Sequence, residues 1–253
     1  MIEIKLNSQC NYIHLLSGGL DSTYSILKLA KDLKHDKSHA AIQPIFFDYG
    51  HYAAKTEWIR VKEIVKWIHL FLNDKTIIKN PIKISLRSQL FQWCKSQAFR
   101  GLEGEEYAEI ENRNLVLFSV LASYLIACAN HQKILKTKFE ITSGFKEKEL
   151  PDCNNNFFEK FTEIINLYTK NRQVPKDLSF HFPVLEYIDR DIVIEETRKL
   201  LNNNQIELDK FLELTTSCYS PTNAGKPCYK CCKCKSIREG KIERNKINLR
   251  FSM

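Results

Sequence analysis

The chain has 253 residues, which is enough for one or two domains with a full hydrophobic core. Its hydrophobic fraction of 43% is ordinary for a globular protein, and its N-terminus lacks the apolar segment of a secretory signal. The most apolar stretch, residues 115–129, contains two serines and is shorter than the roughly 18 residues of a membrane span. We therefore expect a cytoplasmic protein without a membrane span, in which this stretch is a buried central helix.

Positive charge is concentrated near the C-terminus. The formal net charge is +8, and residues 226–253 contain nine Lys or Arg against two Glu, a local charge of +7. Such a segment is either a solvated face or a contact for an acidic partner or a nucleic-acid backbone. Because it has few aromatic side chains for base stacking, nucleic acid is the less favoured partner. A zinc-ribbon nucleic-acid-binding protein with a vestigial nucleotide fold stays an alternative.

Along the chain, short apolar runs alternate with segments of helical periodicity. This order predicts an α/β fold with a parallel, doubly wound sheet. Strands are predicted at 12–16, 41–47, 76–78, 82–84, 140–144 and 180–185. Helices are predicted at 24–33, 53–72, 115–129, 157–168 and 192–201, with an acidic loop at 99–111. We assign residues 1–205 to this domain and 206–253 to an appended cysteine-rich, basic helical segment of the same unit.

A Ser-Gly-Gly-Leu-Asp-Ser-Thr run at 17–23 separates the first predicted strand from the first helix. A glycine pair lets backbone N–H groups surround an anion, and the helix N-terminus adds donors and a positive dipole end. The hydroxyls of Ser17, Ser22 and Thr23 are further donors, so the expected ligand is a phosphate group. The spacing matches neither a G-x-x-x-x-G-K-[ST] P-loop nor a G-x-G-x-x-G dinucleotide loop. The alternative is a Ser/Gly-rich turn that happens to precede a helix.

Polar residues fall where several predicted strands end, and doubly wound sheets bind ligands beyond the carboxyl ends of their strands. These residues are Ser17, Asp48, Gly144, 151–152 and Arg190. We therefore expect the functional site at this edge of the sheet.

Five of the nine cysteines lie between Cys218 and Cys234, which in a chain without a secretory signal favours metal binding over disulfides. Cys218, Cys228, Cys231 and Cys234 form C-x9-C-x2-C-x2-C, a spacing typical of a closed tetrahedral zinc site with a structural role. Only one residue separates Cys232 from Cys234, a gap too tight for both to bind one tetrahedral ion without strain, so Cys232 is expected to be a bystander. The alternative is five reduced, free cysteines.

The run at 17–22 resembles the Ser-Gly-Gly-x-Asp-Ser PP-loop of the ATP pyrophosphatases. With the cysteine spacing, the chain resembles the 7-cyano-7-deazaguanine synthase, or QueC, family. Other matching stretches span nearly the whole chain in order: 47–50, 112–114, 142–144, 151–153 with Phe157, 183–190, 216–219 and Arg238.

The resemblance implies cleavage of ATP to AMP and pyrophosphate, with Mg²⁺ and a structural Zn²⁺ as cofactors. It also implies adenylation of the carboxylate of 7-carboxy-7-deazaguanine, followed by displacement of AMP by ammonia to give an amide. A second adenylation would then dehydrate this amide to the nitrile.

The resemblance also implies site roles. ATP binding is assigned to Leu16, Ser17, Gly18, Gly19, Asp21, Ser22, Thr23, Asp48, Asn114 and Gly144. Catalytic roles toward Mg²⁺, pyrophosphate or the nucleotide are assigned to Asp21, Arg113 and Arg190. Contacts with the deazaguanine are assigned to Tyr49, Asp152 and Phe157. The structural alternatives are a helix-stabilising Asp21, a capping role at 113–114 and a turn-forming Asp152.

Departures from the family pattern lie around the expected substrate. The family's Tyr-Gly-Gln-x-His-x-x-Glu is replaced by Tyr-Gly-His-Tyr-Ala at 49–53, with Glu57 one residue late. Asn154 stands where an arginine is usual, and Arg190 where a lysine is usual. This pattern suggests another acyl acceptor, a protein amine, as in a diverged ligase of an anti-phage defence system. A homodimer is also compatible with the sequence.

Overall fold

The computed structural model describes residues 4–6, 10–36, 40–51, 53–86, 113–134, 137–144, 154–170, 176–182, 190–215 and 218. Its strands are β1 (Cys10–Leu15), β2 (Ile42–Asp48), β3 (Ile82–Ser85), β4 (Thr137–Ser143) and β5 (Lys176–His181). Its helices are α1 (Leu20–His35), α2 (Ala54–Leu72), α3 (Arg113–His131), α4 (Asn155–Lys170), α5 (Arg190–Leu200) and α6 (Gln205–Leu214).

The described strands form one parallel sheet in the order β3-β2-β1-β4-β5. β1 lies at the centre, where Leu15 stands beside Ile45 of β2 on one side and Ser143 of β4 on the other. The chain builds outward through β2 and β3, then returns to the opposite side of β1 with β4. The order therefore reverses between β1 and β4, the point at which such sheets bind ligands. The predicted parallel, doubly wound sheet is confirmed for these residues.

Two hydrophobic clusters cover the two faces of the sheet. The first lies under α1, α2, α5 and α6, and the second under α3 and α4. Neighbouring residues of one strand enter opposite clusters, as Phe46 and Phe47 of β2 do, because side chains alternate across a sheet. Burial on both faces explains why the central strands are mostly apolar and lack the regular polar alternation of a half-exposed strand.

α6 packs on α2 within the first cluster. The Trp67 ring meets the Phe211 ring edge-on at a centroid distance of 5.7 Å, and Trp67 Nε1–H donates to Glu207 Oε2 at 2.7 Å. Asn204 caps α6 by accepting from two backbone N–H groups of its first turn. Residues 205–214 thus share the core of the preceding helices, and the division of the chain at residue 205 stays a prediction.

Two predicted strands differ from the structure. The stretch 76–78 forms only an isolated bridge, between Ile78 and Ile42. The strand predicted at 180–185 instead lies at Lys176–His181, because pairing with β4 begins at Lys176. β5 is the end strand of the described sheet, so Asp177 and Ser179 are tolerated there and weaken the apolar pattern.

α3 has 19 residues, longer than the predicted stretch, and it alone among the described helices is long and apolar enough to cross a membrane. Its length and composition alone are compatible with a membrane span or with a core helix. Leu117, Leu121 and Leu125 recur at helical spacing and are buried in the second cluster, beside Phe118. α3 is therefore a buried core helix, as the sequence predicts.

Candidate active site

Hydroxyl groups hold the loop between β1 and α1. Ser22 Oγ lies 3.0 Å from Ser17 Oγ and donates to the Gly19 carbonyl oxygen at 3.1 Å. Thr23 Oγ1 donates to the same carbonyl oxygen at 2.7 Å. Gly18 has a φ of 80°, in the left-handed region that favours glycine. The loop is thereby fixed ahead of the α1 N-terminus, which supplies N–H donors and a positive dipole end for an anion.

The hydroxyl groups of the loop bond to the loop itself, whereas the sequence predicts that they donate to a phosphate group. The hydroxyls of Ser17, Ser22 and Thr23 all bond within the loop, and the exposed Ser17 also accepts from the Gly19 N–H at 3.3 Å. Leu16 is buried in the first cluster, and its N–H extends the ladder by donating to Ile45. Their contacts with ATP stay predictions.

Gly144 follows β4 directly and lies against the first turn of α1. A Cβ atom at this position would stand 2.2 Å from the Ser22 backbone nitrogen and 2.4 Å from the Asp21 carbonyl carbon. No side chain fits at these distances, so the close approach requires glycine. This contact packs the end of β4 against the start of α1, at the point where the strand order reverses.

His14 of β1 connects the loop to the sheet beneath it. Its Nε2 lies 2.9 Å from the Ser22 carbonyl oxygen, and its Nδ1 lies 2.7 Å from Thr142 Oγ1 in β4. A carbonyl oxygen only accepts, so Nε2 carries the proton and Nδ1 accepts from the Thr142 hydroxyl. Burial lowers the pKa of His14 to about 4, although the hydrogen bond to Ser22 opposes this shift. The one sequence signal that could have indicated this contact is a histidine within a predicted buried strand.

Asp48 ends β2 at the same edge of the sheet. Its Oδ1 accepts from the Gly50 N–H at 3.0 Å, and its Oδ2 lies 3.6 Å from Lys83 Nζ. Gly50 has a φ of 83°, so the buried carboxylate fixes a turn that needs glycine. The structure thus gives Asp48 a turn-forming role, and its contact with ATP stays a prediction.

Tyr49 and Arg113 join the end of β2 to the start of α3. The Arg113 guanidinium hydrogen-bonds the Tyr49 phenol, and Arg113 Nε donates to Asn114 Oδ1 at 3.4 Å. Burial raises the pKa of Tyr49; the Arg113 charge opposes this rise, and the Glu57 charge adds to it. Three residues that the sequence assigned to the site, Tyr49, Arg113 and Asn114, therefore meet at one corner.

His51 and Glu57 form a hydrogen-bonded pair beside Tyr49. His51 Nε2 lies 2.6 Å from Glu57 Oε2, and the imidazole stacks on the Tyr49 ring at 4.0 Å with the planes 23° apart. Both residues are departures from the family spacing, yet they reach each other across the start of α2. A separation of six residues matches no neighbour spacing of a helix or a hairpin, so this pair could not be predicted from the sequence.

The remaining predicted substrate and catalytic residues are less defined. Phe157 packs on Phe161 with ring centroids 6.0 Å apart, and its N–H donates to Asn154 Oδ1 at 2.9 Å. Asn154 therefore caps α4, a role its short amide suits. Arg190 begins α5, and its side chain, like all of Asp152, lies outside the described residues. Their roles toward substrate stay predictions.

Only one of the predicted zinc ligands lies in the described part of the chain. Cys218 is buried, whereas Cys228, Cys231 and Cys234 lie outside it. Among the described residues no group of three His, Cys, Asp or Glu side chains is placed to hold a metal ion. The zinc site therefore stays a prediction from the spacing.

The fold and the loop together define a class of protein. A parallel sheet that reverses its strand order between β1 and β4, with Ser-Gly-Gly-Leu-Asp-Ser after β1, defines a PP-loop enzyme that uses ATP. The residues fit ATP, because the N–H groups in the first turn of α1 follow Gly19 directly and can bind a phosphate group. The carboxylate of Asp21, in the first turn of α1, is the oxygen ligand type that Mg²⁺ prefers.

Comparison with known families agrees with this class. The model of the family described as "Queuosine biosynthesis protein QueC" matches residues 11–245, and the chain belongs to this family. A 7-cyano-7-deazaguanine synthase of Prochlorococcus marinus (strain AS9601) is 32% identical over 232 residues, 91% of this chain and 92% of that protein. The synthase of Nitrosomonas europaea is 24% identical over 229 residues, covering 89% and 90% of the two chains.

Solved structures give weaker likenesses. A 4-thiouridine synthetase in complex with RNA and bound ATP aligns with a TM-score of 0.41 and 15% identity, over 92% of this chain and 50% of that one. An NAD+ synthetase from Burkholderia pseudomallei aligns with a TM-score of 0.30 and 14% identity, over 95% and 82%.

Proposed function

We propose that this protein uses ATP to adenylate the carboxylate of 7-carboxy-7-deazaguanine and passes the acyl group to a nitrogen nucleophile. With ammonia the products are the amide and then the nitrile, 7-cyano-7-deazaguanine. The observation that carries the proposal is the close packing of Gly144 on Ser22, which sets a phosphate-binding loop at the reversal point of the sheet. The names of its relatives supply the substrate class.

The chemistry requires stabilisation of the leaving group. A carboxylate oxygen attacks the α-phosphate, and the bond to the β-phosphate breaks to release pyrophosphate. The backbone N–H groups in the first turn of α1 would hold that negative charge. Bound Mg²⁺ would neutralise phosphate charge, and Asp21 is the residue we assign to hold it.

The corner formed by Tyr49 and Arg113 is the proposed place for the acyl group. The guanidinium hydrogen-bonds the phenol and fixes it, which supplies a pair of donors at the sheet edge where β1 and β2 both end. Such donors would orient the deazaguanine carboxylate toward the α-phosphate.

The cysteine cluster has a structural role in this proposal. Cys218 is buried just after α6, a helix that packs in the first cluster. A zinc ion held by Cys218, Cys228, Cys231 and Cys234 would tie the basic C-terminal segment to this packed unit.

A protein amine is the second candidate for the acyl acceptor. The observation that favours it is the position of the family departures, since His51 and Glu57 lie at the Tyr49 corner, while the loop at 17–22 keeps the PP-loop pattern. Under this alternative the activation step is the same, and only the nucleophile differs.

The experiment is product analysis with a matched pair of variants. The enzyme is incubated with ATP, Mg²⁺, 7-carboxy-7-deazaguanine and ammonium, and the amide and nitrile are followed by mass spectrometry. Asp21→Asn is expected to lose AMP release, while Asp32→Asn, at an exposed ion pair of the same helix, is expected to keep it. AMP release without amide points to another acceptor, and no AMP release by the wild type contradicts the proposal.

A further inference from the structure

The pair formed by His51 and Glu57 has the arrangement of a base and its orienting carboxylate. The imidazole Nε2 lies 2.6 Å from Glu57 Oε2, and the His51 side chain is only 4% exposed. A carboxylate oxygen can only accept, so the proton of the neutral imidazole lies on Nε2. Nδ1 therefore carries the lone pair.

The lone pair on Nδ1 is buried and unused. Within the residues the structure describes, His51 Nδ1 has no hydrogen-bond partner, although it is shielded from solvent. A buried acceptor without a donor is costly, and such atoms call for a functional explanation. The ring cannot simply turn to find a donor, because it is stacked on Tyr49 at 4.0 Å and held by Glu57.

The pair lies beside the phosphate-binding loop. The carbonyl oxygen of Glu57 would stand 3.4 Å from a Cβ atom placed on Gly18, so the first turn of α2 touches the loop. On its other side, Tyr49 connects the imidazole to Arg113 at the start of α3. His51 thus lies between the loop and the corner proposed for the acyl group.

We propose that His51 Nδ1 is the general base that takes a proton from the nitrogen nucleophile when it attacks the acyl adenylate. This inference rests on the proposed function. The nitrogen lone pair forms the C–N bond, the C–O bond to AMP breaks, and AMP leaves with that electron pair. One N–H proton moves to Nδ1 while Glu57 stabilises the imidazolium, and this proton is released to solvent after AMP has left the site.

The competing explanation is that the pair only anchors the turn at 49–51 to α2. A purely structural pair would affect both half-reactions through the shared loop, or stability alone. A base acts only after the adenylate has formed, so its loss separates the two half-reactions. His51→Gln is the suitable variant, because its amide N–H can still donate to Glu57 but the side chain has no basic nitrogen.

The experiment measures the two half-reactions of the full chain separately. Adenylation is measured as acid-dependent exchange of labelled pyrophosphate into ATP, and acyl transfer as amide formation with ammonium. We expect His51→Gln to lower amide formation by about 100-fold or more, the usual contribution of a general base, with exchange changed less than about threefold. Hydroxylamine is a stronger nucleophile than ammonia, so we expect it to trap the adenylate formed by His51→Gln at nearly the wild-type rate.

His69→Gln is the matched control, since His69 lies on α2 and bonds only the Ile78 carbonyl oxygen in the described structure, at 2.7 Å. It is expected to leave both half-reactions unchanged. Glu57→Gln is the second variant, and a selective loss of amide formation there also supports the base. Unchanged amide formation in His51→Gln, or an equal loss of exchange and amide formation, overturns the inference. A wild type without acid-dependent exchange fails one step earlier and contradicts the proposed function itself.

Discussion

The imidazole of His14 holds the carbonyl oxygen of Ser22 at 2.9 Å, so that a residue of the central strand fixes the first turn of the helix behind the phosphate-binding loop. The same ring accepts from Thr142 in the neighbouring strand β4. Loop, helix and both strands at the reversal point are thereby joined through one buried side chain. The geometry of the loop thus depends on the protonation state of a residue that does not belong to it.

The first prediction is a loss of stability at mildly acidic pH. The pKa of His14 falls from 6.5 in the unfolded chain to about 4 in the fold, so between these values the unfolded state binds more protons. Stability therefore decreases as the pH falls through this window, by about 2 kcal/mol between pH 7 and pH 5. Urea unfolding at the two pH values measures the change.

The control for this prediction is His14→Gln, which removes the titrating group. The variant is expected to be less stable at pH 7, with a smaller loss between pH 7 and pH 5. Equal pH dependence in wild type and variant would assign the effect to other groups.

The second prediction ranks two glycine variants by how much each lowers the free energy of unfolding. Gly18→Ala places a side chain at a φ of 80° but meets only ordinary contacts of 3.4 Å or more, so we expect a loss of about 1 kcal/mol. Gly144→Ala drives a Cβ into the Ser22 backbone at 2.2 Å, which forces β4 and α1 apart and is expected to cost about 3 kcal/mol. Thermal unfolding compares them, and the reverse ranking would show that β4 can withdraw from α1 without cost.

Much of the fold could be predicted from the sequence, and the exceptions have physical causes. The central strands are buried on both faces and are mostly apolar, so the predicted positions of β1 and β2 lie close to the observed ones. The prediction places β5 too far along the chain, because the residues at 182–185 are more apolar than Asp177 and Ser179 within the observed strand. The helix at Gln205–Leu214 was not placed as a separate element, and its attachment depends on a tertiary contact with Trp67.

The candidate site likewise has one part that the sequence predicts and another part that depends on long-range contacts. Residues 17–23 are contiguous, so their spacing alone predicted a phosphate-binding loop. The contact of His14 with Thr142 spans 128 residues and follows only from the adjacency of β1 and β4. The pairing of His51 with Glu57 likewise depends on the turn into α2, which no local pattern records.

The third prediction concerns the attachment of α6. The hydrogen bond from Trp67 Nε1 to Glu207 Oε2 is partly buried at 2.7 Å, and Trp67→Phe removes the donor while keeping an aromatic ring against Phe211. A double-mutant cycle with Glu207→Ala is expected to give a coupling of about 1 kcal/mol in the free energy of unfolding. Strict additivity would mean that this hydrogen bond contributes nothing to docking.

The fourth prediction tests the cysteine cluster. Purified protein is expected to contain about one zinc ion per chain, because the spacing supplies four thiolates for one tetrahedral site. Cys231→Ser is expected to lose the metal, and Cys232→Ser, the adjacent bystander, to keep it. Metal analysis of the two variants decides the assignment, and loss of zinc in both or in neither contradicts it.

The most direct test of the activation step follows oxygen atoms. The 7-carboxy-7-deazaguanine is labelled with ¹⁸O in its carboxylate and incubated with the wild-type protein, ATP, Mg²⁺ and ammonium. If the carboxylate attacks the α-phosphate, one labelled oxygen is transferred to AMP when the nitrogen nucleophile displaces it. Labelled AMP is the result we predict, and label in orthophosphate, or unlabelled AMP formed together with the amide, would contradict adenylation.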